Sequence, residues 1–515
     1  MSKKIIKGFT PVVDSVSKPK FTTGFTLLEI LLVVGIIAIL AGIVIVAINP
    51  SRQLAAARDT ERRSDLKQIN NALLQYYIDN QKFPDSVVSD TLTEICNSGS
   101  GDGSDCPVGS INLSALVPKY ISAIPADPKG STATTTGYHI ALNSSHKLYL
   151  KAPSTEISQT YIAIGSGTGV IELGSGTIAS PFLIYNCTGL QNIKDAPSAN
   201  FALANNIDCS TTTSWNGGAG FEPVAFSGSI DGKNNTVSNL YINRPLQNNV
   251  GLFASSNGTI SNLGLLAVDI TGSVYIGGLA GSFSGTIANS FSTGEVSGQN
   301  DVGGLVGFMN GSGTISNSYS SVIVSGADAE IGGLVGLIYG GSGVVTQSHA
   351  TGNVSGSHDV GGLVGTSDAA ISKSYATGNI SGSYAGGLVG SQMTGIISDS
   401  YATGNVNGHT QVGGLVGLQS SGYANPATVS RSYSIGRVTT SWVGYPAGGL
   451  VGLSESQVVA DSYYDRNTSE RSDNDTRGIP KTTSEMKNQS TFSGWDFTNI
   501  WAMSGSVNGG YPYLR

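Results

Sequence analysis

The sequence is poor in charged residues, and this shortage narrows the possible functions. Asp, Glu, Lys and Arg make up 12% of the 515 residues, against about a quarter in an average soluble domain. The net charge is −7, and no basic patch follows the first twenty residues, so we predict that the bulk of the chain binds no nucleic acid. Cysteine is also scarce, with four residues and no CxxC pair, which argues against a zinc site.

Catalytic motifs are missing as well. The sequence contains no HExxH motif, P-loop, dinucleotide fingerprint or recognisable nucleophile–base pair. The five histidines lack the spacing of metal ligands: His139, His146, His349, His358 and His409. We therefore predict that the protein is not an enzyme and that it holds no cofactor and no metal.

Residues 25–49 form a long apolar segment. Residues 25–48 are apolar except for Thr26 and Glu29, and as a helix they would be about 36 Å long, enough to cross a bilayer. Five lysines and one acid precede the segment, so the N-terminus should stay cytoplasmic. A secretory signal peptide fits poorly, because the apolar run is too long and no A-x-A site follows it. A plain anchor leaves Glu29 unexplained, because a carboxylate inside a membrane usually has a partner.

Cleavage between Gly24 and Phe25 would create that partner, since the new α-ammonium group would lie about one helical turn from Glu29. The stretch GFTLLEILLVVGIIAILAG, residues 24–42, resembles the processing site and N-terminal helix of type IV pilins and type II secretion pseudopilins. The resemblance implies that a prepilin peptidase cuts after Gly24 and methylates Phe25. It also implies that Glu29 guides assembly with other pilin or pseudopilin subunits in the membrane.

Residues 50–165 are predicted to form a small α+β head, also similar to pseudopilin heads. Leu66, Ile69, Leu73 and Tyr76 have helical spacing and should pack on a small sheet. The segments GYHIALN and KLYLKAP alternate apolar and polar residues, as strands do. Residues 166–182 are predicted to form a Gly/Ser-rich linker.

The four cysteines lie beyond the membrane segment, where an oxidising compartment is expected. Their spacing suits two local disulfides, Cys96 with Cys106 and Cys187 with Cys209. Asp102 and Asp105, in the loop between the first pair, are too few to favour a calcium site over a solvated turn.

Internal repetition dominates the rest of the chain. The phrase GGLxG begins at residues 277, 303, 332, 361, 386, 413 and 448, and phrases such as ISKSYATGNISG stand between the copies. Short units rich in Gly, Ser, Val and Thr exclude helical repeats and predict a parallel β-helix with one coil per unit. These phrases resemble GLUG repeats, which occur in bacterial surface adhesins and in some secreted immunoglobulin-cleaving metallopeptidases.

Alignment of the coils predicts which side chains face inward. Two columns hold Leu or Ile in early coils and Ser or Ala in later ones, so both should face the interior; they run from Leu240 to Ser432 and from Ile242 to Ser434. Alternation then sends the residue between them outward. This outward file of rings contains Phe291, Tyr319, His349, Tyr375, Tyr401, Tyr433 and Tyr463.

Two interpretations of the aromatic file stay open at this stage. Rings stacked on one another would shield the coil and be purely structural. Alternatively, Phe291, Tyr319, Tyr375, Tyr401 and Tyr433 are candidates for binding a neutral glycan or a surface protein, because an acidic chain suits anionic polymers poorly.

One column of acids also recurs. Asp301, Glu330 and Asp359 occupy equivalent turns of successive coils. A cation between them is conceivable, but Tyr384 and Gln411 follow at the same position, so solvated turn charges are the preferred interpretation.

The sequence as a whole predicts a multidomain protein, in which a transmembrane α-helix and a small α+β pilin-like head precede a large all-β parallel β-helix. The predicted parts are a leader (1–24), a membrane helix (25–49), the head (50–165), a linker (166–182), a GLUG-repeat solenoid (183–463) and a C-terminal cap (464–515). We expect a precursor in the bacterial inner membrane with its C-terminal domains outside, and later a cell-surface filament displaying an adhesive module. The alternatives are a minor pseudopilin of a type II secretion or DNA-uptake machine and, least favoured, a surface enzyme acting on glycans.

Overall fold

The computed structural model describes most of the head, the solenoid and the cap. The described residues are 27, 31–36, 50–87, 92–97, 106–142, 148–153, 162–165, 176–179, 181–420, 426–441, 444–455, 458–473 and 476–515. Within these ranges, no helix is both long enough and apolar enough to span a membrane. Of the predicted span, only Leu27 and residues 31–36 are included, and they are helical and exposed. Gly24, Phe25 and Glu29 lie outside the described residues.

The head packs one helix, Pro50–Asn80, on a four-stranded antiparallel sheet. Leu66, Ile69 and Leu73 are fully buried, as their helical spacing predicts, and Tyr76 packs beside them. The two predicted strands are confirmed. The strands of the sheet, in order, are Thr93–Cys96, Thr135–Leu142, Leu148–Ala152 and Ile162–Gly165, and a short 3-10 helix covers Ser114–Leu116.

Charged side chains join the head helix to the loop beyond it. Arg62 is fully buried, and its guanidinium donates to Asp127 at 2.8 Å and to Asp59 at 2.7 Å. Asp127 also accepts the backbone N–H groups of Lys129 and Gly130. These bonds compensate for the burial of both charges.

The repeats form a stack of coils, and the strands of successive coils build four parallel sheets. This confirms the predicted parallel β-helix. We number the sheets as faces one to four in the order in which the chain visits them. Pairing between coils is in register: Phe291 lies opposite Tyr319, and Gly298 opposite Gly326. Nine successive strands build face four, so the solenoid has about nine complete turns.

The strands of each face are short. Face one contains Phe182–Ile184, Asn200–Leu203, Ser229–Asp231, Thr259–Ser261, Thr286–Ala288, Thr314–Ser316, Val344–Thr346, Ala370–Ser372, Ile396–Ser398, Thr428–Ser430 and Val458–Ala460. Face two contains Ile207–Asp208, Thr236–Ser238, Tyr241–Asn243, Gly264–Thr271, Phe291–Gly298, Tyr319–Gly326, His349–Ala350, Val354–Ser355, Tyr375–Ala376, Ile380–Gly382, Tyr401–Ala402, Val406–Gly408, Tyr433–Ser434, Val438–Thr440, Tyr463–Asp465 and Ile479–Lys481. The last of these extends face two beyond the predicted boundary at residue 463.

The other two faces are built in the same way. Face three contains Val274–Gly277, Asn300–Gly303, Ile331–Gly332, Val360–Gly361, Ala385–Gly386, Val412–Gly413 and Ala447–Gly448. Face four contains Val224–Phe226, Phe253–Ser256, Ala280–Phe283, Val306–Asn310, Val335–Tyr339, Val364–Ser367, Val389–Gln392, Val416–Gln419 and Val451–Ser454.

Short helices and a small hairpin complete the solenoid and its cap. The helices are Cys187–Gln191, Asn192–Asp195, Ser210–Gly218, Arg466–Ser469, Thr483–Met486, Gln489–Thr491 and Asn508–Gly510. The strands Trp501–Ala502 and Tyr513–Leu514 pair antiparallel in the cap. Disulfides join Cys96 to Cys106 in the head and Cys187 to Cys209 at the first coils.

The GGLxG phrase reflects close contact between coils. A Cβ atom on Gly303 would lie 2.0 Å from the carbonyl oxygen of Val306. On Gly304 it would lie 2.3 Å from a carbonyl of the next coil, and on Gly307 it would lie 2.3 Å from a backbone nitrogen of the previous coil. Each glycine of the phrase is therefore needed because backbone occupies the space of a side chain.

The two predicted inward columns are buried, as alternation requires. The serines of the first column form a hydrogen-bonded ladder through the interior. Ser374 Oγ donates to the carbonyl of Ser372 at 2.8 Å and accepts the backbone N–H of Ser348, one coil away, at 3.2 Å. The same pair of bonds recurs at Ser318 and Ser400. Buried hydroxyls are tolerated here because each has both a donor and an acceptor partner.

Candidate functional site

The predicted file of rings forms a continuous stack on the outside of face two, which we call the aromatic ladder. It consists of Phe291, Tyr319, His349, Tyr375, Tyr401, Tyr433 and Tyr463. Consecutive rings from Phe291 to Tyr433 lie 4.5–5.1 Å apart, with planes within 8° of parallel. This spacing follows from the separation of paired strands. Tyr463 continues the register beside Tyr433.

The C-terminal cap covers the last part of this ladder. Tyr401 is 6% exposed and Tyr433 is fully buried, in one apolar cluster with Trp495 and Trp501. Tyr433 also donates its hydroxyl proton to the carbonyl of Pro512 at 2.5 Å. The expectation that Tyr401 and Tyr433 face solvent is therefore wrong, because the cap folds back over them. We call Tyr401, Tyr433 and Tyr463 the capped ladder.

The first four rings, Phe291, Tyr319, His349 and Tyr375, are only half-buried, and we call them the open ladder. Inside the stack, each ring is covered on both faces by its neighbours. The outer face of Phe291 meets the previous coil, since a Cβ on Gly264 would lie 2.4 Å from that ring. The ladder therefore presents ring edges to the outside, and a sugar has no free ring face on which to stack.

Burial also changes the acid–base behaviour of the ladder. Desolvation between Tyr319 and Tyr375 lowers the pKa of His349, which favours the neutral imidazole. Desolvation also raises the pKa of Tyr375 and that of Tyr401, which favours their neutral phenol groups.

Uncharged polar side chains border the open ladder on both sides. Asn289, Asn317 and Gln347 precede rings by two positions, are exposed, and have left-handed φ angles of 48–51°. On the other side are hydroxyl groups, of which Ser321 and Thr351 are 2.7 Å apart. Lys373 follows in the amide column, before Tyr375. The open ladder is therefore a narrow strip of ring edges between amides and hydroxyls.

The first acid of the column on face three, Asp301, is buried, contrary to the preferred interpretation of the sequence, whereas Glu330 and Asp359 are half-buried. Asp301 is 6% exposed, and its Oδ1 atom has no hydrogen-bond partner. Burial, together with repulsion from Glu330, raises the pKa of Asp301 to about 7. Burial raises the pKa of Asp359 to about 6, although a hydrogen bond to Ser391 opposes this. Asp301, Glu330 and Asp359 all have left-handed φ angles.

The acidic column does not form a ready-made cation site. Across the described ranges, no three His, Cys, Asp or Glu side chains are grouped closely enough to hold a metal ion. Glu330 has a raised pKa because of burial and of the charges of Asp359 and Asp328. The column instead favours protons on its carboxyl groups.

Sequence reasoning missed the residues that cover the ladder. Phe492, Trp495 and Trp501 belong to the segment 492–501, which is rich in aromatic residues in a chain with only 8% Phe, Trp and Tyr. That concentration was the available signal. The sequence does not show that this segment packs on the ladder, because the contact between Trp501 and Tyr401 joins residues about a hundred positions apart.

Comparison with known proteins identifies the repeats. Residues 356–381 and 381–407 each match the GLUG motif. The resemblance found in the repeat phrases is thereby confirmed. The two matched segments carry Asp359, Tyr375, Tyr384 and Tyr401, so members of both the aromatic ladder and the acidic column position belong to the motif's coils.

Two curated relatives and one solved structure are similar to this chain. Halomucin of Haloquadratum walsbyi is 37% identical over 206 residues, covering 38% of this chain and 2% of that protein. A protein of Evansella cellulosilytica described as a Gly-rich membrane protein is 34% identical over 421 residues, covering 68% of this chain and 46% of that protein. The chain thus spans less than half the length of either relative. A crystal structure described as an immunoglobulin A1 protease from Bacteroides ovatus has a TM-score of 0.40 at 19% identity, covering 66% of this chain and 94% of that one.

Proposed function

We propose that this GLUG-repeat solenoid is a surface-displayed binding module that attaches cells to other cells or surfaces. The observation that carries the proposal is the open ladder, a rigid strip of half-buried rings on successive coils between uncharged amides and hydroxyls. A strip already held in place by strand pairing loses little conformational entropy when it binds. One relative is described as a membrane protein, which is in keeping with display at a membrane.

The proposed display rests on the N-terminal sequence. Gly24, Phe25 and Glu29 have the arrangement of a prepilin processing site, so we propose cleavage by a prepilin peptidase and assembly with other pilin-type subunits. Mass spectrometry of the membrane form should find an N-terminus at Phe25, carrying one methyl group. An intact Met1 chain as the only species would refute the processing step.

Assembly is tested separately from processing. Glu29→Ala should still insert in the membrane, since it removes a carboxylate that insertion scales penalise by about 2.5 to 3.5 kcal/mol. Its incorporation into shed filaments should fall, while a Thr26→Ala control should assemble normally. Quantifying the chain in purified filaments also separates a filament subunit from a minor component of a secretion machine.

Adhesion is tested on the open ladder. A chain with Tyr319→Ser and Tyr375→Ser should lose attachment to cells, whereas Tyr339→Ser, at a 60% exposed tyrosine on face four, should retain it. Circular dichroism must show that all three chains remain folded. Unchanged attachment by the folded double variant would show that the ladder is not the adhesive surface.

A further inference from the structure

The cap contacts the ladder in a repeated way. The Trp501 ring lies 6.2 Å from Tyr401, tilted by 48°, and its Nε1 lies 3.4 Å from Oδ1 of Asp399. The Trp495 ring lies 6.0 Å from Tyr463, tilted by 49°, and its Nε1 donates to the carbonyl of Asp461 at 3.0 Å. In both cases an indole lies tilted beside a ladder ring, and its N–H meets the residue two positions before that ring, at a side-chain oxygen of Asp399 and at the backbone carbonyl of Asp461.

The open ladder repeats both parts of this contact. The rings of Tyr319 and His349 present the same edges, because they stack in the same register as the capped rings. Two positions before them stand Asn317 and Gln347, exposed residues whose amide oxygens can accept an indole N–H. The side chain of Lys373, before Tyr375, offers only donors, so the surface with side-chain acceptors covers the coils of Tyr319 and His349.

The capped and open surfaces are also continuous. Tyr375 packs against the cap cluster on one side and stacks on His349 at 4.5 Å on the other. The polar side chains beside Tyr319 and His349 are uncharged amides and hydroxyls, which suit an uncharged aromatic segment better than a basic or acidic one. Tilted aromatic contacts of this kind contribute beyond the area that they bury.

We propose that the open ladder docks a tryptophan-bearing polypeptide segment of a partner protein, in the manner of the chain's own cap. This inference rests on the proposed binding function and specifies its ligand class. It favours a protein over a glycan because the ladder offers ring edges and hydrogen-bond acceptors and has no free ring face.

A labelled peptide tests the proposal on the full chain with its own cap in place. The probe is residues 493–503, SGWDFTNIWAM, carrying fluorescein, and fluorescence anisotropy reports binding. We expect saturable binding, weakened about tenfold or more when both tryptophans of the peptide are replaced by alanine. Equal binding of the two peptides, or no saturable binding of the tryptophan peptide, would overturn the proposal.

Variants of the chain locate the site. Gln347→Lys removes an acceptor and should fold, because Lys373 occupies the same turn position with nearly the same φ. We expect Gln347→Lys and Tyr319→Ala each to weaken peptide binding by about 2- to 10-fold, the range of one lost hydrogen bond for Gln347 and of one lost aromatic contact for Tyr319. Tyr339→Ser should bind as the parent chain does. Binding that resists both ladder variants would place the peptide elsewhere and overturn the inference.

The outcome is separable from that of the proposed function. If cell attachment depends on the ladder but the peptide does not bind, the adhesive role stands and the tryptophan ligand is wrong. If a glycan array binds the chain through the same residues, the docking proposal is likewise overturned. If the peptide binds through the ladder but the ladder variants still attach to cells, the ligand class is supported and the adhesive role is refuted.

Discussion

The open and the capped halves of the aromatic ladder have similar repeat sequences but different surroundings. Tyr375 stands in KSYATGNISG and Tyr401 in DSYATGNVNG, and their rings stack 4.8 Å apart with planes 3° from parallel. Nevertheless Tyr401 is 6% exposed, whereas Tyr375 is only half-buried. The difference comes from Trp501, which lies a hundred residues later and packs on Tyr401. Near-identical repeats therefore become core or surface according to what folds over them.

The same coils differ again on face three. Asp301, Glu330 and Asp359 lie on the coils of Phe291, Tyr319 and His349, while Tyr384 and Gln411 occupy the column on the coils of Tyr375 and Tyr401. Buried acids thus belong to the open half of the ladder. Uncharged side chains replace them where the cap begins, so the open coils combine a possible binding strip with a less stable interior.

Removing the cap's central tryptophan should have the largest effect. Trp501→Ala deletes a fully buried indole between Tyr401 and Tyr433 and should reduce the free energy of unfolding by about 3 to 5 kcal/mol. In the open half, Tyr319→Ala should cost less, about 1 to 3 kcal/mol from two stacked pairs. Denaturant unfolding followed by circular dichroism measures both. Equal losses would mean that the cap does not distinguish the two halves.

The two ends of the solenoid are closed by different means, a disulfide at the first coils and the aromatic cap at the last. Replacing Cys187 and Cys209 by serine opens a bridge of sequence separation 22 and should destabilise the first coils by about 3.4 kcal/mol on the chain-entropy account. Replacing Cys96 and Cys106, of separation 10, should affect the head by about 2.7 kcal/mol. Hydrogen exchange resolves the two regions. Exchange that stays unchanged at the first coils would contradict the expected role of the bridge.

The buried acids make the open coils sensitive to pH. The pKa of Asp301 is raised to about 7 in the folded chain from an ordinary value near 3.9, so the folded state binds more protons. Stability should fall as pH rises from about 4 to 7 and should stay lower above that range. Asp301→Asn should remove most of this loss, because its amide does not titrate, and asparagine tolerates the left-handed φ of 54°.

Thermal unfolding at pH 4, 6 and 8 measures this effect. Glu295→Gln is the matched control, because that acid is exposed on face two of the same coil and should leave the pH profile almost unchanged. If the stability of the Asp301→Asn chain fell more steeply with pH than that of the parent chain, this would show that the carboxyl group of Asp301 is not protonated in the folded state. Calcium should not rescue stability at pH 8, since no cation site is expected.

The smallest effect concerns the serine ladder inside both halves. Ser374→Ala leaves the buried N–H of Ser348 without its acceptor at 3.2 Å and should cost about 1 to 2 kcal/mol. Ser381→Ala, at an exposed serine on the same coil, should change the unfolding midpoint little. If both variants unfold alike, the interior hydroxyls do not hold the coils together.

Much of the solenoid was predictable because residues close in sequence determine the structure of each coil. The GGLxG spacing set the coils, and the alternation from Ser374 through Tyr375 to Ala376 assigned interior and exterior. The stacking of the rings was one of two open interpretations, and the ring distances agree with it. The candidate site was predicted less well, because Tyr401 and Tyr433 lie under the cap and Asp301 is buried instead of solvated. The roles of Gly24, Phe25 and Glu29 stay predictions.

The sequence by itself determined the parallel β-helix, its register and the direction of each side chain, because these follow from backbone geometry and from glycines where coils touch. It also determined the helix-and-sheet head, through the spacing of Leu66, Ile69 and Leu73. Only the tertiary structure decided which rings remain partly exposed and which acids are buried. The exposure of a side chain depends on segments that are distant in sequence: Trp495 and Trp501 cover the ladder, and neighbouring coils cover Asp301. No local sequence pattern predicts where such segments pack.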